Sequence, residues 1–466
     1  MNNDPIAFGR TTRRKIFKVP LIGSLLLGKG QSNKASDLAV THVNIIDTTS
    51  GVTKRDQTVL IKGNKISAID ESRRLQPSLQ ARVVQANGKY LMPGFWDMHV
   101  HLSYTKASAL PTLLASGVTS VRDCGGVLRE LDSFATEVQT EYIHGPRIYR
   151  AGPQVNGKVY AFTQIAVTGA EQARGAVKAL KIAGVDFIKV IAAISRDAYY
   201  GIADESKTSD ILFAGHIPRA LSPEECSNAG QGSLEHVDTL FDGKIPPNAS
   251  PAERLSRIVR FRKDVAPALF ALFAKNHTRY TPTLTASAYP YLTRLEALRK
   301  GVTDPRSEYV SNFSKRTTLA LFAKYRTDMV PQNVVDERGP FEEFLRLVQM
   351  MSQSGVALLS GTDMATSVFY PGFSLHDELA LLAKAGVPLL QVLQSTTCNA
   401  AKFFEAHDLG RIESDKLADL VLLDANPLED INNTRKITAV IADGQLFDRA
   451  ALDQLRELGC RMAKEE

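Results

Sequence analysis

The sequence predicts an α/β protein built on a (β/α)8 barrel of the TIM type, with a small β-sandwich formed from its N- and C-terminal segments. Three observations carry this expectation. Between residues 93 and 408, short apolar runs alternate with longer stretches of helical periodicity, the pattern of βα units around a parallel sheet. Two β-rich pieces, residues 38–92 and 409–448, flank that region, and each is too short to bury a core alone. Side chains able to bind a metal stand at the ends of the apolar runs, where such barrels carry their chemistry.

A chain of 466 residues exceeds what one core usually supports, but an α/β barrel reaches this size as one domain. Its 44% hydrophobic and 23% charged residues are ordinary for a soluble globular protein, and no run approaches the roughly 18 apolar residues of a membrane span. The formal charge of +6 is concentrated at the start. Residues 1–34 hold Arg10, Arg13, Arg14, Lys15, Lys18, Lys29 and Lys34 against Asp4 alone, and the other 49 basic and 49 acidic residues balance. A neutral body argues against a nucleic-acid partner. The leader, residues 1–37, resembles a twin-arginine export signal, and a disordered basic tail fits the same residues, so both cytoplasmic and exported locations stay open. Cys124, Cys226, Cys398 and Cys460 are too scattered for a zinc knuckle or a disulfide framework.

The elements follow in order. Ala39–Ile46, Thr58–Ile61 and Ile66–Ile69 read as strands, with Gly63-Asn64-Lys65 as a turn, and Asp419–Asp424 and Ala439–Ala442 read likewise near the other end. Barrel strands are expected near Phe95–His99, Thr119–Arg122, Arg147–Ala151, Asp186–Ile191, Ile211–Gly215, Ser233–Glu235, Tyr280–Leu284 and Ala357–Ser360, and a C-terminal helix over 449–466. The connection from Ala286 to Ser354 is long for a βα loop; its first half fits a cap over the barrel mouth or a plain surface helix.

His99 and His101 open the candidate site. Residues two apart on a strand share a face, so the pair aims two imidazoles at one point. His216, His236 and Asp363 each end a short apolar run, so with the first pair the ligands fall at the ends of the first, fifth, sixth and eighth strands. Candidate substrate contacts on neighbouring loops are Gln154, Asn156, Tyr199, Tyr200 and Arg219, a guanidinium or hydroxyl being suited to a substrate carboxylate. Cys124 fits either the cleft or a buried apolar position, and His376 and Glu378 fit either the cleft or the start of a helix.

The segments Pro93–His101, Asp186–Val190, Ala214–His216, Leu234–His236 and Ser360–Asp363 together resemble the amidohydrolase superfamily. Within it the chain is similar to the imidazolonepropionase-like branch, which includes Xaa-Pro and Xaa-Arg dipeptidases and ochratoxin-type amidases. The resemblance implies that Lys189 is N6-carboxylated and bridges two divalent ions, zinc being the first expectation. It assigns His99, His101 and Asp363 to the more buried ion and His216 and His236 to the other. It further implies a hydrolase that cleaves an amide or cyclic amide C–N bond in a dipeptide, N-acyl amino acid or related small molecule, using a metal-bridging hydroxide. Asp363 would be the general base and then the general acid. A homo-oligomer is expected. A lactonase or phosphotriesterase-like hydrolase on the same residues is the alternative, and a non-catalytic scaffold a more distant one. The run His216-Ile217-Pro218-Arg219, and Gln154 where some relatives carry His, depart from the dipeptidase pattern and weigh against a dipeptide.

Overall fold

The computed structural model describes residues 38–241, 244–246, 249–288, 303–325, 338–366 and 368–466. The leader, and parts of the long connection after Ala286, lie outside them. The N-terminal piece forms β1 (Leu38–Ile46), β2 (Thr53–Lys62), β3 (Lys65–Glu71), β4 (Arg82–Gln85) and β5 (Tyr90–Pro93). The β2–β3 hairpin turns at Gly63, whose φ of +62° suits a residue without a Cβ. The central region forms β6 (Phe95–Val100), β7 (Val118–Asp123), β8 (Arg147–Arg150), β9 (Gln154–Asn156), β10 (Gln164–Ala166), β11 (Phe187–Val190), β12 (Leu212–Gly215), β13 (Ser233–Glu235) and β14 (Arg279–Thr281). The chain returns through β15 (Leu420–Leu423), β16 (Ile437–Ala442) and β17 (Gln445–Phe447) to a helix over Arg449–Glu465.

The two terminal pieces do meet, but edge to edge. Strand β5 pairs with β1 on one side and with β15 on the other, giving one eight-stranded sheet in the order β17-β16-β15-β5-β1-β2-β3, with β4 also on β1. The two pieces thus join by hydrogen bonding as one sheet that branches at β1, whose first half pairs with β4 and second half with β5, so the expected sandwich is not built from two separately paired sheets. Apolar side chains from both ends of the chain, among them Val40, Val59, Ile66, Leu420 and Ile441, share one buried cluster on this joined sheet.

All pairings among β6–β14 are parallel, as the alternating pattern predicts, but the barrel is not one closed ladder. It has two arcs, β6-β7-β8 and β10-β9-β11-β12-β13-β14. The cause is local. Gly152, at φ +64°, and Pro153 break the third strand, so that β8 pairs with β7 while β9 pairs with β11. The Asp186 amide still donates to the Arg150 carbonyl across the gap, at 2.9 Å. The expected eighth strand is an extended segment, tied by single bridges from Leu358 to Tyr280 in β14 and from Met364 to Val100 in β6. Among the described residues no helix is long and apolar enough to cross a membrane.

His376, in the helix Phe373–Lys384, lies away from the carboxyl ends of the strands. Its ring contacts the Ser116 carbonyl at 3.1 Å, just ahead of β7, and Thr434 Oγ1 at 3.0 Å, with Phe95 edge-on at 5.5 Å. Burial, with the Arg435 charge adding to it, pushes its pKa down to about 4 from an ordinary 6.5. The unfolded chain then takes up this proton first on acidification. The stability from a neutral His376 is complete above about pH 6.5 and is lost as pH falls towards 4. Denaturant unfolding measured across that window should show a smaller loss for His376→Asn than for the parent protein, and equal slopes would contradict this account.

Candidate metal centre

The strand β6 is fully buried, so its alternation aims His99, and His101 just past its end, into the mouth of the barrel. The segment after Leu359 lies alongside. Met98 N donates to Ser360 O at 2.8 Å, Asp363 N to His99 O at 2.8 Å, and His101 N to Met364 O at 3.1 Å. A Cβ on Gly361 would sit 2.6 Å from the Cβ of His99, so this close approach requires glycine. Asp363 Oδ1 consequently stands 3.5 Å from His99 Nε2 and 3.3 Å from His101 Nε2.

A second glycine performs the same service for His216. A Cβ on Gly215 would be 2.1 Å from the Val190 carbonyl, and the His216 amide donates to that carbonyl at 3.0 Å. His216 is thus seated beside β11, where Lys189 is fully buried with Nζ 3.5 Å from His99 Nε2. His236 lies 4.7 Å, ring to ring, from both His99 and His216. Six side chains distant in sequence therefore gather at one mouth, and donor atoms of His99, His236 and Asp363 lie within 4.8 Å of one another.

The other ring nitrogens are tied down. His99 Nδ1 donates to Glu235 at 2.9 Å, His101 Nδ1 to the Gly125 carbonyl at 3.0 Å, and His236 Nδ1 lies 2.8 Å from Thr283 Oγ1. Each contact fixes its ring with Nε2 free for a cation, the usual support of metal-binding imidazoles. Burial, with the positive end of Lys189 next in weight, holds His99 well below its ordinary pKa, and burial with His236 does the same for His216. Burial opposes ionisation of Asp363, but the surrounding imidazoles outweigh it and hold the carboxyl below its usual range. The same Asp363 carboxylate raises the pKa of His101, against its burial; a cation bound between the two would take that proton's place, and neutral imidazoles with an ionised carboxylate are the forms that ligate, so this donor set fits a divalent cation.

Glu235 and Arg122 were not among the residues singled out from sequence. Both are fully buried. Arg122 donates through Nε to Met98 O at 2.6 Å, through Nη1 to Ser233 Oγ at 2.8 Å, and through Nη2 to Glu235 Oε1 and Oε2 at 2.8 and 2.9 Å. Their signal was a charge inside an expected barrel strand, which needs a partner on a neighbouring strand once buried. Asp97 accepts from Thr362 Oγ1 at 2.7 Å and Thr362 N at 3.1 Å, and burial pushes its pKa up to about 7. Glu378 accepts from the Leu284 and Thr285 amides and so secures the turn that carries Thr283.

A cavity of about 630 Å³ opens on His216, His236 and Asp363, and Asn156 and Arg219 line it. Gln154 is buried behind it and donates to the Cys124 carbonyl at 3.1 Å. Tyr199 is not at the site. It is buried on the inner face of the helix Arg196–Thr208, and its hydroxyl donates to Gln231 at 2.8 Å, while the neighbouring Tyr200 faces outward. Cys124 is a buried apolar neighbour, its thiol 3.8 Å from the Met98 carbonyl and pushed up to about 12 by burial.

Residues 273–447 match the family model described as the amidohydrolase family. No curated protein matches the chain in sequence. In structure the chain is similar to a bottromycin amidohydrolase, with TM-score 0.74, 23% identity, and 92% of this chain and 90% of that one covered. It is likewise similar to a Xaa-Pro dipeptidase with methionine bound in the active site, with TM-score 0.66, 21% identity and coverage of 89% and 100%. An ochratoxinase from A. niger gives TM-score 0.64, 20% identity and coverage of 89% and 96%.

Removing one member of the buried pair should be far worse than removing both. Glu235→Ala strands the Arg122 charge and should lower the unfolding free energy by about 3–5 kcal/mol, whereas Arg122→Met combined with Glu235→Leu should recover most of it. The double variant still lacks the partner of His99 Nδ1, so its metal affinity should remain roughly 10–100-fold weaker. Denaturant unfolding and competition with a metal indicator read the two effects separately; equal instability of single and double variants would count against the assignment.

Proposed function

We propose that the chain is a member of the amidohydrolase superfamily and, from that premise, a metal-dependent hydrolase of amide or cyclic amide C–N bonds in a small molecule, a reading supported by the family match over residues 273–447 and by the fold it shares with a bottromycin amidohydrolase and a Xaa-Pro dipeptidase. The observation that carries the reading is the convergence of His99, His101, Lys189, His216, His236 and Asp363 on one mouth of the barrel. His99, His101 and Asp363 would hold one divalent ion and His216 and His236 a second, with zinc the first expectation for a nitrogen and carboxylate set without thiolate. Bound there, the ions supply an acidified water as nucleophile and polarise the scissile carbonyl.

The protein's own groups do the rest. Asp363, kept ionised by the imidazoles around it, takes the proton released at the nucleophile and hands it to the departing amine, acting first as base and then as acid. Lys189 is fully buried and pairs with no carboxylate among the described residues, the costliest setting for an ammonium. Its neutral amine can add to carbon dioxide with loss of a proton, and the carbamate so formed is an anionic oxygen ligand in place of a repelling cation. Arg219, on the same cavity as His216, His236 and Asp363, suits an anionic group on the substrate.

The decisive experiment combines metal analysis with a screen of dipeptides, N-acyl amino acids and lactones on protein stripped by a chelator and reloaded with zinc or manganese. Amide hydrolysis that disappears on stripping and returns on reloading is expected; hydrolysis of lactones alone would overturn the amidase reading. Asp363→Asn should keep much of the metal while turnover drops by several orders of magnitude. Lys189→Ala should lose metal and activity together, and full metal occupancy in that variant would refute the carbamate.

A further inference from the structure

The break in the third strand leaves a strap, residues 157–163, between β9 and β10. Its apolar side chains are unusually exposed: Tyr160 at 67% and Phe162 at 54% of full accessibility. Contiguous apolar surface left in water beside a cavity is a candidate ligand-binding surface. Tyr160 lines the cavity that ends on His216, His236 and Asp363, and so does Phe344. Phe162 packs on Tyr104 at 5.0 Å between ring centres, and Tyr104 stands edge-on to His101 at 6.2 Å.

A run of side-chain amides holds the strap in place. Gln154 Nε2 donates to the Cys124 carbonyl, and Gln164 Nε2 donates to Gln154 Oε1 at 3.1 Å. Gln164 Oε1 in turn accepts from the Tyr160 amide at 3.0 Å and from Asn156 Nδ2 at 3.3 Å. Asn156 Oδ1 accepts from the Gly157 and Ala193 amides. The next carbonyl along, that of Gly125, is the partner of His101 Nδ1. The strap and the imidazole cluster are therefore registered to one another through adjacent peptide groups.

We infer that this strap is a specificity element: Tyr160, with Phe344 on the same cavity, selects amides bearing a benzyl-sized apolar group beside the scissile bond, and Gln164 is the positioning residue that sets Tyr160. The inference rests on the amidohydrolase reading and names a substrate class for it. An aromatic wall contributes mainly to binding, so its loss falls on KM more than on kcat.

The test compares N-acetyl-L-alanine with N-phenylacetyl-L-alanine and N-acetyl-L-phenylalanine on the zinc-loaded protein. Affinities of phenylacetate and L-phenylalanine against acetate and L-alanine are measured by calorimetry alongside. At least one benzyl-bearing amide should be preferred in kcat/KM, and the corresponding product should bind more tightly than its small counterpart. The preference should fall roughly tenfold, through KM, in Tyr160→Ala and in Gln164→Leu, and persist in Tyr160→Phe, with melting temperatures near that of the parent. No preference in the parent protein, or the same preference in Tyr160→Ala, overturns the inference. Selective product binding that Tyr160→Ala abolishes, on a protein that hydrolyses none of the amides, supports the strap and overturns the amidase reading instead.

Discussion

An arginine and a glutamate shut away from water tie the inner wall of the barrel together. Taking Arg122 and Glu235 out of solvent costs several kcal/mol each, and their attraction offsets this with the help of a hydrogen bond from each of the three guanidinium nitrogens. Arg122 reaches Met98 on β6, Ser233 and Glu235 on β13, and Thr281 on β14, with the Phe403 ring 4.9 Å from its guanidinium carbon. One guanidinium thus cross-links four strands, counting its own β7. The second oxygen of Glu235 turns outward to His99, so the orientation of a ligand follows from an ion pair placed deeper in the fold.

Backbone strain marks the layer above this pair. His236, Thr283 and Asp363 all have φ between +47° and +64°, a region that side-chain-bearing residues enter at a cost of about 1–3 kcal/mol each. Each is anchored by neighbours: His236 N donates to Thr281 O, Asp363 N to His99 O, and Thr283 sits on the turn that Glu378 caps. The distortion turns the side chains of His236 and Asp363 back over the barrel mouth, where an ordinary conformation would let the loops lead away.

Much of this was legible in the residues themselves. The two-residue spacing of His99 and His101, and the placement of His216, His236 and Asp363 at the ends of apolar runs, depend only on strand periodicity, which survives tertiary context. What escaped depends on direction and partnership. Tyr199 and Tyr200 differ by 100° around a helix, and only the packing of that helix on Phe213 reveals which one turns inward. The pair Arg122 and Glu235 is 113 residues apart, so neither charge announces its partner. The break in the third strand is written locally, in Gly152-Pro153, and the expected strand stops at Ala151; β9 escaped because Gln154-Val155-Asn156 holds a single apolar residue, too little to signal a strand. The joined terminal sheet could not be told from two separately paired ones because both bury the same alternating side chains, and only the pairing of β5 with both β1 and β15 decides between them.

That last pairing has a consequence for synthesis. Strand β5 leaves the ribosome more than three hundred residues before β15, the strand that satisfies its second edge. For that interval the nascent chain offers a bare row of peptide groups, flanked by Leu91 and Met92, to any other extended segment nearby. A chain stalled or clipped ahead of Leu420 would keep every imidazole of the cluster and still carry an open, adhesive β edge.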